Sequence, residues 1–142
     1  MSDPFDLQRF VDAQDRVYAR VVAELRSGRK TSHWMWFVFP QVAGLGSSPM
    51  AQQYAIGTPD EARAYLEHPV LGARLLKCTQ LLLDVKGRDI RDVLGYPDDL
   101  KFRSSMTLFA AIEGAPPIFN AALQQYFAGQ PDARTLETLR RG

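Results

Sequence analysis

His33 is the side chain whose chemistry stands out first, because an imidazole with an ordinary pKa of about 6.5 suits proton transfer around neutrality. It lies inside Lys30-Thr-Ser-His-Trp-Met-Trp-Phe-Val-Phe-Pro-Gln41, a stretch that holds both tryptophans of the chain. Trp34 and Trp36 can stack on the face of an aromatic or sugar ring, and Gln41 adds a polar group that needs a partner if it is buried. The ordinary alternative is that these residues are core, with one His33 ring nitrogen bonded to backbone. Just downstream, Gly44 and Gly46 permit unusual backbone angles, and Ser48-Pro49 reads as a cap and first turn of a small helix over residues 50–54. Backbone N–H groups at such a start, with the hydroxyls of Ser47 and Ser48, suit a phosphate or carboxylate. The lysine of a nucleotide P-loop is missing, so a plain tight turn is the competing reading.

Lys101, Ser104 and Ser105 stand three and four positions apart, so one helical face can present an ammonium and hydroxyls together. If that face meets residues 44–48, the two segments complete an anion pocket; otherwise Lys101 pairs with Asp98 or Asp99 on a wet surface. Cys78, the one cysteine, sits among Leu75, Leu76, Leu81 and Leu82 in a helical pattern and reads as core rather than as a nucleophile. His33 and His68 are far apart with no carboxylate at ligand spacing, so no metal is expected, and nothing in the sequence asks for a cofactor.

The elements that must position these residues follow from periodicity. Leu7, Phe10, Val11, Val17, Tyr18, Val21, Val22 and Leu25 recur at helical steps and predict one first helix stopped by Gly28. Residues 34–39 are aromatic enough for a strand, but the helical neighbourhood favours a short helix capped by Ser32 and ended before Pro40. Thr58-Pro59-Asp60-Glu61 is a capping box with proline at the first helical position, and His68-Pro69 repeats the entry signal for a helix carrying Leu71, Leu75, Cys78 and Leu82. Asp89 starts a brief helix to Gly95. Pro97-Asp98-Asp99 announces another, carrying Phe102, Met106 and Phe109. Pro116-Pro117 and Asp132 open the last two. The expected fold is all-α, a single domain over residues 1–142 of about six to eight helices, as a bundle or an irregular helical array.

Composition narrows the function. With 142 residues, 46% hydrophobic and 23% charged, the chain suits one globular core. A formal net charge of +1 provides no global field for nucleic acid or an anionic membrane. The basic clusters at residues 26–30 and 140–141 read as cations at helix C-termini. No signal peptide and no bilayer-length apolar run are seen, so a cytoplasmic, soluble protein is expected.

The chain resembles, almost end to end, the family catalogued as domain of unknown function 1810. The resemblance rests on Arg9-Phe-Val-Asp-Ala-Gln14, Ser32-His-Trp-Met-Trp-Phe-Val-Phe-Pro-Gln41, Gly44-Leu-Gly46, Tyr54-Ala-Ile56, Tyr65-Leu-Glu-His-Pro-Val-Leu-Gly72 and Lys101-Phe-Arg-Ser-Ser-Met-Thr-Leu-Phe109. It implies a mostly helical fold and brings no reaction. Some relatives carry the label calpastatin, but this apolar-rich chain does not resemble a disordered inhibitor. A looser similarity runs to helical proteins of the NADAR type, which act on ADP-ribose-linked compounds, through Tyr54, residues 61–75 and Lys101-Phe102. It implies a nucleotide-like or sugar-phosphate ligand and transfers no catalytic position.

Two readings follow. In the first, Trp34 and Trp36 stack on a small anionic ligand, residues 44–48 hold its charge, Lys101 adds to it, and His33 acts as acid or base in a hydrolysis or transfer. In the second, the chain is a binding module that takes a peptide or protein partner in a helical groove.

Overall fold

The computed structural model describes residues 3–141, and among them the backbone forms ten helices and no strand. Ten replaces the expected six to eight because several segments fold as single turns and the first predicted helix is two. In chain order these are α1 (Gln8–Asp15), α2 (Tyr18–Ser27), α3 (Met35–Val38), α4 (Pro49–Gln53), α5 (Pro59–Glu67), α6 (Leu71–Leu83), α7 (Ile90–Leu94), α8 (Asp98–Ala110), α9 (Ile118–Phe127) and α10 (Ala133–Arg141). The first helix breaks at Val17, whose φ of −131° and ψ of 0° leave the helical region. The break lets α1 pack on α3 while α2 turns to α6, so one apolar stripe serves two partners. Gly28 ends α2 as expected, in the left-handed conformation at φ 75°.

Helix α8 is the axis of the array, in contact with α3, α5, α7, α9 and α10. Its residues 104–109 are all buried, which explains why it shows no clean polar face: a helix enclosed on most sides has no solvent stripe to mark. Aromatic rings knit the layers together. Phe39 meets Phe102 edge-on at 5.0 Å, Phe10 meets Tyr65 edge-on at 5.1 Å, and Tyr65 reaches Phe109 at 5.4 Å. Such tilted and edge-on pairs follow from the ring quadrupole.

Capping follows the sequence with two shifts. Thr58 Oγ1 accepts from the Glu61 amide at 3.1 Å. Glu61 Oε1, however, takes the Gly57 amide at 2.9 Å rather than the cap nitrogen, while Oε2 meets Arg9 at 3.0 Å. The long-range guanidinium competes with the local box and redirects the carboxylate. Ser32 does not cap α3, because its hydroxyl donates to Glu24 Oε2 at 2.6 Å, and Trp34 takes the N-cap position with no side-chain bond. His68 does act as a local cap: its Nδ1 accepts from the amides of Val70 and Leu71 at 3.1 and 3.2 Å.

Between α3 and α5 the chain folds into a loop pinned by one parallel bridge, Val42 to Ile56. The Ala43 amide donates to the Ile56 carbonyl at 2.8 Å, and the Ile56 amide donates to Gln41 at 2.9 Å. Arg9 reaches across from α1 and donates to the carbonyls of Gln53 at 2.8 Å and Ala55 at 2.9 Å. These bonds hold the two ends of the 44–52 loop, one side of which faces α8 across a hollow.

Candidate functional site

A hollow of about 660 Å³ lies between the 45–51 loop and α8 and reaches the start of α10. This volume lies in the range of small-molecule sites. Seven of the sequence-predicted residues line it: Trp36, Gln41, Gly46, Ser47, Ser48, Lys101 and Ser104. Gly44 borders a smaller adjoining recess with Trp36 and Gln41. Of the two arrangements open to Lys101, the fold has it in both: it lines one hollow with residues 45–48 and is 3.5 Å from Asp98 Oδ1.

Three predicted residues stand elsewhere. His33 is exposed and is not part of the hollow's lining. Trp34 is fully buried, and its indole N–H donates to Glu24 Oε1 at 3.0 Å; it cannot stack on a ligand because its faces are packed in the core. Ser105 is fully buried as well, with its hydroxyl without a partner. The reason is helical phase: Ser104 turns toward the loop, and Ser105, 100° further round α8, turns inward beside Phe102 and Phe109.

The two tryptophans thus divide their work. Trp34 belongs to a carboxylate cradle in which Glu24 takes the amides of Thr31 at 2.7 Å and Ser32 at 3.1 Å besides the Ser32 hydroxyl and the indole. Burial works to raise the Glu24 pKa, but the bonds from the Ser32 hydroxyl, the Thr31 amide and the Trp34 indole outweigh it and hold the carboxyl at about 2. Trp36, half-buried two residues on, lies under Lys101, whose Nζ is 5.0 Å from the ring centre. Lys101 is also 3.5 Å from Asp98 Oδ1. Asp98 Oδ2 is engaged more closely by Lys30 at 2.9 Å.

The start of α4 offers an anion less than the sequence suggested. Pro49 has no N–H, the Ala51 amide is taken by Ser48 Oγ at 3.1 Å, and the Gln52 amide by the Ser48 carbonyl at 3.0 Å. Positive charge in the hollow comes instead from side chains: Lys101, Arg103 and Arg134, against the single carboxylate of Asp132. Arg103 is partly committed, donating from Nε to the Gln130 carbonyl at 2.9 Å. Leu45, Pro97 and the half-exposed Leu100 make the apolar part of the wall.

Sequence reasoning missed Arg103, Arg134 and the second role of Asp132. Asp132 opens α10 as its sequence position suggests: Oδ2 accepts from the Thr135 amide at 3.0 Å. No local signal announces that α10 begins against α8. Cys78 is buried, and burial pushes its thiol up to about 12 despite Arg74 and Lys77, so it holds no thiolate near neutrality.

An all-α domain with one basic, partly apolar hollow beside its central helix is the class that this geometry defines. The chain belongs to the family described as protein of unknown function (DUF1810), whose model matches residues 4–139. It is similar to a conserved hypothetical protein from Mycobacterium tuberculosis known from a crystal structure, with 56% identity, a TM-score of 0.96, and coverage of 97% of this chain and 99% of that one. No curated protein matches it. Among the described residues no helix is long and apolar enough to cross a membrane.

Several residues of the family-like motifs have structural duties. Gln14 Nε2 donates to the Phe37 carbonyl at 2.7 Å and to the Tyr65 hydroxyl at 3.0 Å inside the core. Arg9 ties α1 to the 53–55 carbonyls, and Gly72 lets α6 press on α5, since a Cβ there would lie 2.0 Å from the Leu66 carbonyl oxygen. In the hollow, Ser48 also caps α4 through the Ala51 amide, and Lys101 also pairs with Asp98.

Proposed function

We propose that the hollow beside α8 binds a small anionic ligand of the nucleotide-like or sugar-phosphate kind. The observation that carries this reading is the convergence of Lys101, Arg134 and the hydroxyls of Ser47 and Ser48 around one hollow walled by Trp36. The indole and a carboxylate shared with Lys30 hold the Lys101 ammonium in place, which suits capture of an anion at little ordering cost. The reading stops at binding. His33, the proton donor or acceptor that a hydrolysis or transfer would use, lies outside the hollow.

The competing reading, a docking groove for a peptide, draws on two exposed apolar side chains near the hollow, Tyr96 at 64% and Leu100 at 45%. Thermal unfolding with inorganic phosphate, ribose 5-phosphate, ADP-ribose and nucleotides separates the two. A ligand at about a hundred times its Kd adds about 2.7 kcal/mol to stability, a rise of several degrees. That rise, absent in Lys101→Ala, is the expected result; no rise with any of the compounds contradicts the reading and favours a peptide partner.

A further inference from the structure

We propose that Asp132 makes this hollow select ligands that carry hydroxyl groups beside their anionic group, so that a phosphorylated sugar is preferred over a bare or aryl phosphate. The inference rests on the anion-binding reading above and deepens it. Asp132 lines the hollow together with Lys101, Ser104 and Arg134. Its backbone is fixed, because the Asp132 amide donates to Thr107 Oγ1 at 2.8 Å, and that buried hydroxyl donates in turn to the Arg103 carbonyl at 2.8 Å. One carboxylate oxygen is fixed too: Oδ2 takes both the amide and the hydroxyl of Thr135. Oδ1 has no partner among the described residues, and it is not sealed in the interior.

A carboxylate accepts hydrogen bonds and donates none. In a hollow otherwise charged by cations, it opposes a phosphate and rewards a hydroxyl or N–H donor. Ser104 points the same way. Its Oγ donates to the Leu100 carbonyl at 3.1 Å, so toward the hollow the hydroxyl has only lone pairs to offer. The site therefore has two acceptors, Asp132 Oδ1 and Ser104 Oγ, near the cations Lys101 and Arg134, with Trp36 and Leu100 as an apolar wall. A ring with vicinal hydroxyls and a phosphate satisfies all of these at once. Inorganic phosphate has only its own P–OH groups to offer and no ring to carry donors to both acceptors, and phenyl phosphate buries them against carbon, which a hydrogen-bonding site rejects strongly.

The test is calorimetric titration of the wild-type chain, Asp132→Asn, Asp132→Ser and Lys101→Ala with ribose 5-phosphate, phenyl phosphate and inorganic phosphate. Asn and Ser both keep the cap on α10, so the variants should fold. The wild type should prefer ribose 5-phosphate to the other two by about tenfold or more, as expected of a site built to bond hydroxyls. Asp132→Asn and Asp132→Ser should erase that preference while leaving inorganic phosphate as tight or tighter, since a negative charge is lost. Lys101→Ala should weaken all three alike. Equal wild-type affinity for the three compounds, or a preference that survives in both Asp132 variants, overturns the proposal while leaving the anion site intact. Failure of the wild type to bind any of them overturns the anion site itself, and this inference with it.

Discussion

Lys101 holds its ammonium 5.0 Å from the centre of the Trp36 ring and 3.5 Å from Asp98 Oδ1. Asp98 is shared, since its other oxygen is 2.9 Å from Lys30, whose side chain is only 6% exposed. Lys101 is thus steered by a ring below it and a carboxylate beside it without a full counter-charge. Trp36→Leu removes the platform and keeps an apolar side chain on α3. A cation–π contact of about 0.5–2 kcal/mol predicts that affinity for ribose 5-phosphate falls about twofold to thirtyfold, read by calorimetry. Unchanged affinity would show that the indole does not orient the charge.

Glu24 makes stability depend on acid. Its folded pKa of about 2 lies below the ordinary 4.5, so the contribution is fully present above about 4.5 and disappears as pH falls through 2. The size is up to about 3 kcal/mol from the linkage relation. Urea unfolding of the wild type and Glu24→Gln should show this gap at pH 6 and a gap closing toward zero near pH 2. A gap that stays constant over that range would mean that the carboxylate cradle does not set it.

His33→Ala should change little. The side chain is exposed and outside the hollow, and substitutions of that kind fall within about 0.5 kcal/mol. Urea unfolding and titration with ribose 5-phosphate should match the wild type. A loss of binding by tenfold or more would place His33 at a ligand after all.

Gly72 sits where α6 starts against the end of α5, and a Cβ would come within 2.0 Å of the Leu66 carbonyl oxygen. Backbone, unlike the tip of a side chain, cannot step aside. Gly72→Ala should therefore cost about 3 kcal/mol or more, as strained overpacking does, and lower the melting temperature by several degrees. A melting temperature equal to the wild type's would show that the two helices separate easily.

Most helices were legible because their punctuation is chemical: Ser48-Pro49 and Thr58-Pro59 start α4 and α5, and Gly28 ends α2, as the side chains require. The break at Val17 was not, since the apolar stripe of residues 7–25 continues in phase across it and only the two different packing partners reveal it. The site was half legible. Residue type offers two arrangements for Lys101 and its serines, a surface ion pair or a pocket shared with residues 44–48, and cannot choose between them, because the choice depends on how distant segments pack. Trp34 and Trp36 looked alike in sequence, and their opposite fates depend on Glu24, ten residues upstream of the first. Arg134 and Asp132 joined the site through α10 docking on α8, a contact between distant segments with no local signature.

The chain has two indoles, one in the hollow and one in the core, and this gives the most direct test of the anion site. Titration of ribose 5-phosphate into isotope-labelled protein, followed through the two indole N–H signals, should move the Trp36 signal to saturation and leave the Trp34 signal, held on Glu24 Oε1 at 3.0 Å, where it was. A ligand that binds without moving the Trp36 signal, or that moves only the Trp34 signal, would contradict binding at this hollow.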